Sequence, residues 1–500
     1  MSSSSVTLNT NSSSSSSIDQ LVSEYITSIS QPVYQLQSQQ SNINSLISTY
    51  QTIKSNLTSF QSQTTSLKSV GNLSPLAAKT VTSSDSSTVT ATAQATATSG
   101  THSVLVTQLA KYDTLVSDQL AQSGTDISNA SGIGTSTFSV TINGKATNIN
   151  VNVNSGDSNS TVMSNIAAAL NAADIGVNAS VVNDTNSTAR LVFTSENSGS
   201  ENAINVADVT GNLLQDVGWT SSVISGRTAS TAKAGGFVNS LVNSLDANFT
   251  LDGIPITRSS NTVNDVLTGV TLNLEGTQLL TDDPITLTIA PDTSAIQSTV
   301  QNFINSYNTL ISSLNQNMTD TTSSSSSSSS GSSSTTVTRA PLAGDVTFMN
   351  LQMSLQNILM SPVSSAKNGN PNSLNAVGIT LNSDGTLSLG DQSTFTSALT
   401  SNPAAVSDLF NSTNGVAVQL DSLVKSFSQP GGVMDQKING SQDQINSMND
   451  MISSMQSSIN IQADAMRSQF TAYQSLLIQL SQTQSSLSSI WSNMSSSGLL

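Results

Sequence analysis

One histidine, His102, and no cysteine are the whole supply of the side chains that most often carry acid–base, thiol or zinc chemistry in this 500-residue chain. His102 stands at the end of a predicted strand, residues 104–106, and reads as a solvent-facing side chain rather than a general base. With neither a cysteine nor a second histidine, zinc hydrolysis and Cys/His catalysis are excluded. A serine nucleophile would need His102 or a lysine as its base, and no Gly-x-Ser-x-Gly elbow surrounds any serine. The nearest phosphate-loop pattern, Gly132, Ile133, Gly134, Thr135, Ser136 and Thr137, lacks the third glycine and the lysine that would hold a phosphate, and reads as a loop. Asp282 and Asp283 precede Pro284, where a turn before a strand explains them better than calcium binding or acid–base work. Asn-x-Ser/Thr triplets, such as those at Asn178 and Asn183, follow from composition alone. No catalytic residue, cofactor site or metal site emerges, so the sequence reads as non-enzymatic.

Composition says what such a chain could do instead. Thirty acidic residues against fourteen basic ones give a net charge of −16 and a pI near 4.1. That charge repels phosphate backbones and anionic lipids, which argues against a nucleic-acid partner or a membrane surface. Charged residues are only 9% of the chain, so its polarity comes from Ser, Thr, Asn and Gln, as suits an uncharged secreted surface. No run approaches eighteen apolar residues, and residues 1–17 have neither a basic region nor an apolar stretch, so neither a membrane anchor nor a Sec-type signal is expected. The length predicts three or more domains unless much of it is elongated helix.

The strongest pattern lies at the two ends. Residues 18–29 carry apolar side chains at helical spacing until Pro32 interrupts. Leu36, Ile43, Leu46, Tyr50, Ile53, Leu57, Phe60 and Leu67 then keep alternating steps of three and four, counting Gln39 and Thr64 as polar seam members. The other end repeats it: Ile445, Met448, Ile452, Met455, Ile459, Met466, Tyr473, Leu476, Leu480, Leu487 and Ile490 share one register, with Gln462, Gln469 and Thr483 among them. A straight helix from Ile445 to Met494 would be roughly 75 Å long, too long for a compact domain. Few flanking positions carry charge, so the salt bridges that fix partners in many coiled coils are missing. Such helices suit pairing that changes with state. A third stripe, Ile296, Val300, Phe303, Tyr307, Leu310 and Leu314, precedes a serine-rich tract, residues 319–338, that reads as a solvated flexible loop. Shorter helices are expected at 346–360, 394–410 and 416–427, with a hairpin at 378–389 turning on Asp384 and Gly385.

Between the ends the period changes to two. Residues 80–106, 138–153, 177–182, 191–194, 249–256, 270–274 and 285–289 read as strands, with hairpins at Asn143-Gly144 and Asp252-Gly253 and a short helix through Val162, Ile166 and Leu170. The expected class is α+β, multidomain and elongated, with coiled-coil ends and a helical leg domain enclosing nested β-rich heads. The expected divisions are a disordered N-terminus at 1–17, a coiled-coil leg at 18–72, an inner β-rich head at 73–115 with 236–292, and an inserted outer β-rich head at 116–235. A helical leg domain at 293–435 and a C-terminal coiled-coil helix at 436–500 complete them.

This order resembles the bacterial flagellar filament cap, the flagellar hook-associated protein 2 family. The segments that carry the resemblance are 17–34 (SIDQLVSEYITSISQPVY), 100–109 (GTHSVLVTQL), 249–274 (FTLDGIPITRSSNTVNDVLTGVTLNL), 289–314 with its FINSYNTL core, and 466–487 (MRSQFTAYQSLLIQLSQTQSSL). The polar run at 12–17 and the serines at 323–330 depart from it. The resemblance implies an annular homo-oligomer, usually a pentamer, at the distal filament tip, where it retains exported flagellin and promotes its polymerisation. It also implies hook–filament junction proteins as neighbours, and a flagellar type III export apparatus with its chaperone as the route out. Flagellin itself, a junction protein, and a surface adhesin with a β-rich head are the alternatives.

Overall fold

The computed structural model describes residues 14–130, 134–326, 333–364, 366 and 370–496. The expectations for residues 1–13, and for Gly132 and Ile133 of the glycine loop, lie outside these. The described chain begins with helices α1 (Ser14–Ile29) and α2 (Gln31–Leu67). Pro32 sits in the first turn of α2, where its missing N–H is not needed, so proline starts a helix here. Strands follow as β1 (Lys79–Ser83), β2 (Val89–Ala93), β3 (Gly100–Gln108), β4 (Tyr112–Val116) and β5 (Leu120–Ala121). Next come α3 (Asp126–Ala130), β6 (Gly134–Ile142), β7 (Lys145–Val153), α4 (Asn159–Ala172), β8 (Val177–Val182), β9 (Thr188–Ser198) and β10 (Asn205–Thr210). Short α5 (Leu213–Asp216) and α6 (Ser221–Ser225) lead to β11 (Gly236–Phe237), β12 (Ala247–Leu251), β13 (Ile254–Arg258), β14 (Thr262–Leu267), β15 (Val270–Leu274) and β16 (Ile285–Pro291). The chain then returns to helix in α7 (Thr293–Met318), β17 (Thr321–Ser326), β18 (Ser333–Thr338), α8 (Val346–Met360), β19 (Ile379–Leu381) and β20 (Leu387–Leu389). It finishes with α9 (Gln392–Ser401), α10 (Pro403–Asn411), α11 (Val416–Ser428) and α12 (Val433–Ser496).

Two compact units result. One takes residues through Lys68, Val300–Phe395 and those from Asp408 on; the other takes Ser69–Thr299 with Thr396–Ser407. The second holds two β cores, because alternation buries one face of nearly every strand. In the inner core, the sheet β1-β16-β3-β12-β13 and the sheet β14-β15-β2 enclose Val104, Val106, Phe249, Leu272 and Leu287. In the outer core, the sheet β10-β6-β7 and the sheet built on β4, β9 and β8 enclose Phe138, Phe193, Ile166 and Trp219, with α4 between them in sequence. Phe193 and Trp219 meet edge to face at 4.7 Å. The Asn143-Gly144 turn has both residues at positive φ, 51° and 69°, the conformation a two-residue hairpin demands.

Four expectations need correcting. Gly134, Thr135, Ser136 and Thr137 are not a loop: they open β6 and pair with β7. The serine tract is not simply a loop: β17 and β18 pair antiparallel through six registered positions, Thr321 with Thr338 to Ser326 with Ser333. Side-chain patterning gives no sign of such a ribbon. The helix expected over 394–410 is two helices divided before Pro403, which cannot donate into the preceding turn. His102 is not fully solvent-facing: its side chain is 23% exposed, and its Nδ1 lies 2.8 Å from Asp252 Oδ2 at the tip of the β12–β13 hairpin.

Candidate functional site: the paired chain ends

In the helical unit α2 lies against α11 and α12. Its lower half supplies the buried stripe Ile47, Tyr50, Ile53, Leu57, Phe60, Thr64 and Leu67. Aromatic contacts fix that stripe. Phe60 meets Phe303 at 5.6 Å and Tyr307 at 5.7 Å, Phe303 meets Phe410 at 6.0 Å, and Tyr50 stacks on Phe348 at 5.8 Å. The Tyr307 hydroxyl donates to the Gly385 carbonyl at 3.0 Å, so the Asp384-Gly385 turn is pinned to α7. Burial pushes the Tyr307 hydroxyl well above the ordinary tyrosine range.

Polar pairs set the direction in which the ends meet. Tyr25 donates to Gln462 at 3.1 Å, Gln40 to Asn449 at 2.7 Å, and Lys54 pairs with Asp435. Moving back along α2 and α1 therefore moves forward along α12, an antiparallel pairing. The Lys54 hydrogen bond and the Gly431 N–H hold the Asp435 carboxyl below its usual range. Lys68 pairs with Asp421 of α11, and Lys437 with Asp345 at 2.7 Å. Desolvation raises the Asp345 carboxyl, but the Lys437 and Thr347 hydrogen bonds together outweigh it and hold it low. These three lysine–aspartate pairs escaped the sequence reading. Their partners are 92 to 381 positions apart, and the only available signal was that so few charges exist.

The seam residues fall into distinct classes. Tyr50, Ile53, Leu57, Phe60 and Leu67 are buried, while Leu36, Ile43 and Leu46 are half-buried, the neighbouring Ile47 taking the inner position. All of Ile296, Val300, Phe303, Tyr307, Leu310 and Leu314 are fully buried. On α12 Ile445 and Ile459 are buried, whereas Met448, Ile452 and Met466 are half-buried. Met455, Tyr473, Leu476, Leu480, Leu487 and Ile490 are exposed, Leu480 by 60%. The register explains the change: α1 begins at Ser14, opposite about Ser475, so α12 from Leu476 to Ser496 runs past it. That stretch, roughly 30 Å of helix, also bares Leu477, Ile478 and Trp491.

Two family models match the chain, flagellar hook-associated protein 2 N-terminus over residues 14–113 and flagellar hook-associated protein 2 C-terminus over residues 244–482. The chain belongs to the flagellar hook-associated protein 2 family. Among its curated relatives, the A-type flagellar hook-associated protein 2 of Pseudomonas aeruginosa is 26% identical over 73% of this chain and 72% of its own length. The flagellar hook-associated protein 2 of Escherichia coli K12 is 29% identical over 81% of each. A solved structure, the D1-D2-D3 domains of the flagellar cap protein FliD from Escherichia coli, matches with a TM-score of 0.61 and 27% identity, over 79% of this chain and 99% of that one. Neither family model reaches residues 114–243, which carry most of the outer β core. The α+β, multidomain class expected from the sequence is the class observed.

Proposed function

We propose that the chain is the structural cap at the distal tip of a bacterial flagellar filament, working without catalysis, and that the bare part of α12 is its leg. Family membership supports the cap, and the observation that carries the leg is the continuous exposure of Leu476, Leu477, Leu480, Leu487, Ile490 and Trp491. A helix that bares such a stripe is half of an interface, because water ordered over that much apolar surface is released on pairing. The cap would retain exported flagellin and promote its insertion, while the absence of charge and the polar Thr483 along its seam let the leg release one neighbour and take the next. No observation favours flagellin, a junction protein or an adhesin.

Deleting the gene tests the cap. Unpolymerised flagellin in the medium and short or absent filaments are expected, and filaments of normal length would refute the role. The leg has its own test. Leu480→Pro breaks α12 beyond its paired region, so incorporation at filament tips should fall at least tenfold while the β cores keep their melting transition. Undiminished capping by this variant would show that the leg lies elsewhere.

A further inference from the structure

The outer β core has an edge that its neighbours do not share. Most edge strands of this unit are blunted. β10 is irregular between Asp208 and Thr210, and the Asp208 carboxylate turns to the Leu214 and Gln215 N–H groups. β8 is covered at Ala179, whose N–H and C=O are both taken by the Asn171 side chain at 2.7 and 2.9 Å. β5 and β11 are two residues long, and β13 carries Pro255 and Arg258. These are the usual ways in which a sheet avoids pairing with another chain. β7 is long, regular and free of proline, and its one charge, Lys145, stands beside the turn. It pairs with β6 through nine unbroken positions, Ile142 with Lys145 to Gly134 with Val153, and ends the sheet order β10-β6-β7.

Its free hydrogen-bonding groups follow from the turn. A two-residue hairpin closes on a mutually hydrogen-bonded pair, here Ile142 and Lys145, and bonded pairs recur at every second residue. Lys145, Thr147, Ile149, Val151 and Val153 therefore bond to β6. Ala146, Asn148, Asn150 and Asn152 point four N–H and four C=O groups away from the sheet. Among the described residues nothing else bonds to them. The four side chains of this outward set are exposed, while Ile149, Val151 and Val153 are buried.

We propose that β7 is a homotypic docking edge, which pairs antiparallel with the β7 of a second copy of this chain about a dyad through Ile149. The sequence of the strand is what selects a second copy. About that dyad Asn148 meets Asn150, and Ala146 meets Asn152, in hydrogen-bonded pairs that satisfy all eight outward groups at once. Thr147 meets Val151, which continues the apolar face. Lys145, the only charged residue of the strand, meets Val153 rather than its own mate, so no like charges face each other across the pair. A dyad contact of this kind is closed, and joins two copies without propagating into a fibre. It is independent of the leg, which lies in the other unit.

The absence of cysteine from the chain makes the test clean. Ala146→Cys, Asn148→Cys, Asn150→Cys and Asn152→Cys are made singly in the full chain and treated with a short bis-maleimide. Positions 148 and 150 are one residue from the dyad, so each lies roughly 7 Å along the strand from its mate; positions 146 and 152 are three residues away, roughly 20 Å. Dimer yield at 148 and 150 should exceed that at 146 and 152 at least tenfold. Adding Asn150→Pro removes an outward N–H and no bond to β6, and should lower the yield at 148 at least tenfold with Trp219 emission unchanged. Equal yields at all four positions, or none, overturn the proposal whatever the proline variant does. Single-cysteine chains that cross-link to added flagellin carrying its own cysteine, and not to one another, overturn it too, in favour of a strand donated by that protein.

Discussion

Asp113 is fully buried and uses its whole carboxylate. Arg227 donates to it twice, at 2.7 and 3.1 Å, and the Ile204 N–H adds a third bond at 2.8 Å. The guanidinium also lies 3.9 Å over the Phe237 ring and reaches the Asn239 carbonyl, so one side chain ties β4, β11 and the segment after it. Asp113→Ala would strand that cation in the interior, with an expected loss of about 3–5 kcal/mol. Denaturant unfolding followed through Trp219, which is 2% exposed, measures it; a loss under about 1 kcal/mol would show that the pair is dispensable. None of this was legible beforehand, because 114 residues separate the partners and an isolated aspartate looks like any other. Asp391 gives a residue-scale prediction with a pH attached. It accepts hydrogen bonds from the Thr394 hydroxyl, the Thr394 N–H and the Ser393 hydroxyl at the start of α9, which hold its carboxyl at about 2. A depressed carboxyl stabilises the fold above its unfolded value, and the contribution is lost as pH falls through the folded one. The stability difference between the native chain and Asp391→Ala should therefore persist to pH 4 and close near pH 2. A difference already closed at pH 4 would show that these hydrogen bonds at the start of α9 are not formed.

Elements show where sequence reading succeeds and where it stops. The hairpins at Asn143-Gly144, Asp252-Gly253 and Asp384-Gly385 were legible because the turn itself demands those residues between alternating strands. The β17–β18 ribbon was not, since serine and threonine carry no alternation of apolar and polar side chains. The end helices were legible as stripes, but a stripe does not reveal its partner, and so exposed Leu480 and buried Leu57 looked alike. The joint between the two β cores was invisible for another reason: it depends on close backbone approach. Gly199 has φ of 96°, its N–H donates to the Lys111 carbonyl at 3.0 Å, and a Cβ there would stand 2.2 Å from Ser259 Cβ. Ser198 and Ser200 on either side bond to the Ser259 carbonyl and the Asp246 carboxylate, both at 2.7 Å. Gly199→Ala should thus uncouple the cores, splitting one melting transition of this unit into two in calorimetry. An unchanged single transition would place the coupling elsewhere.

At the scale of the whole molecule, charge and chain order matter most. Each copy brings a charge of −16 to any assembly, so added salt should strengthen self-association as screening shortens from ~10 Å at 0.1 M to ~3 Å at 1 M. Sedimentation at rising sodium chloride measures this, and weakening would mean that ion pairs across the interface outweigh net repulsion. The antiparallel pairing of the chain ends bears on timing as well. Lys54 and Asp435 are 381 positions apart, and Tyr25 and Gln462 are 437 apart. A chain delivered with its N-terminus leading can close its β cores early, from strands already present, while α1 and α2 wait for α12 as far as about Ser475. Closing so long a loop is slow, and the early helices are marginal without their partner. The molecule thus contains its own clock: the paired ends close only after α12 has arrived as far as about Ser475, and a chain cut short before Asp435 declares itself by never closing.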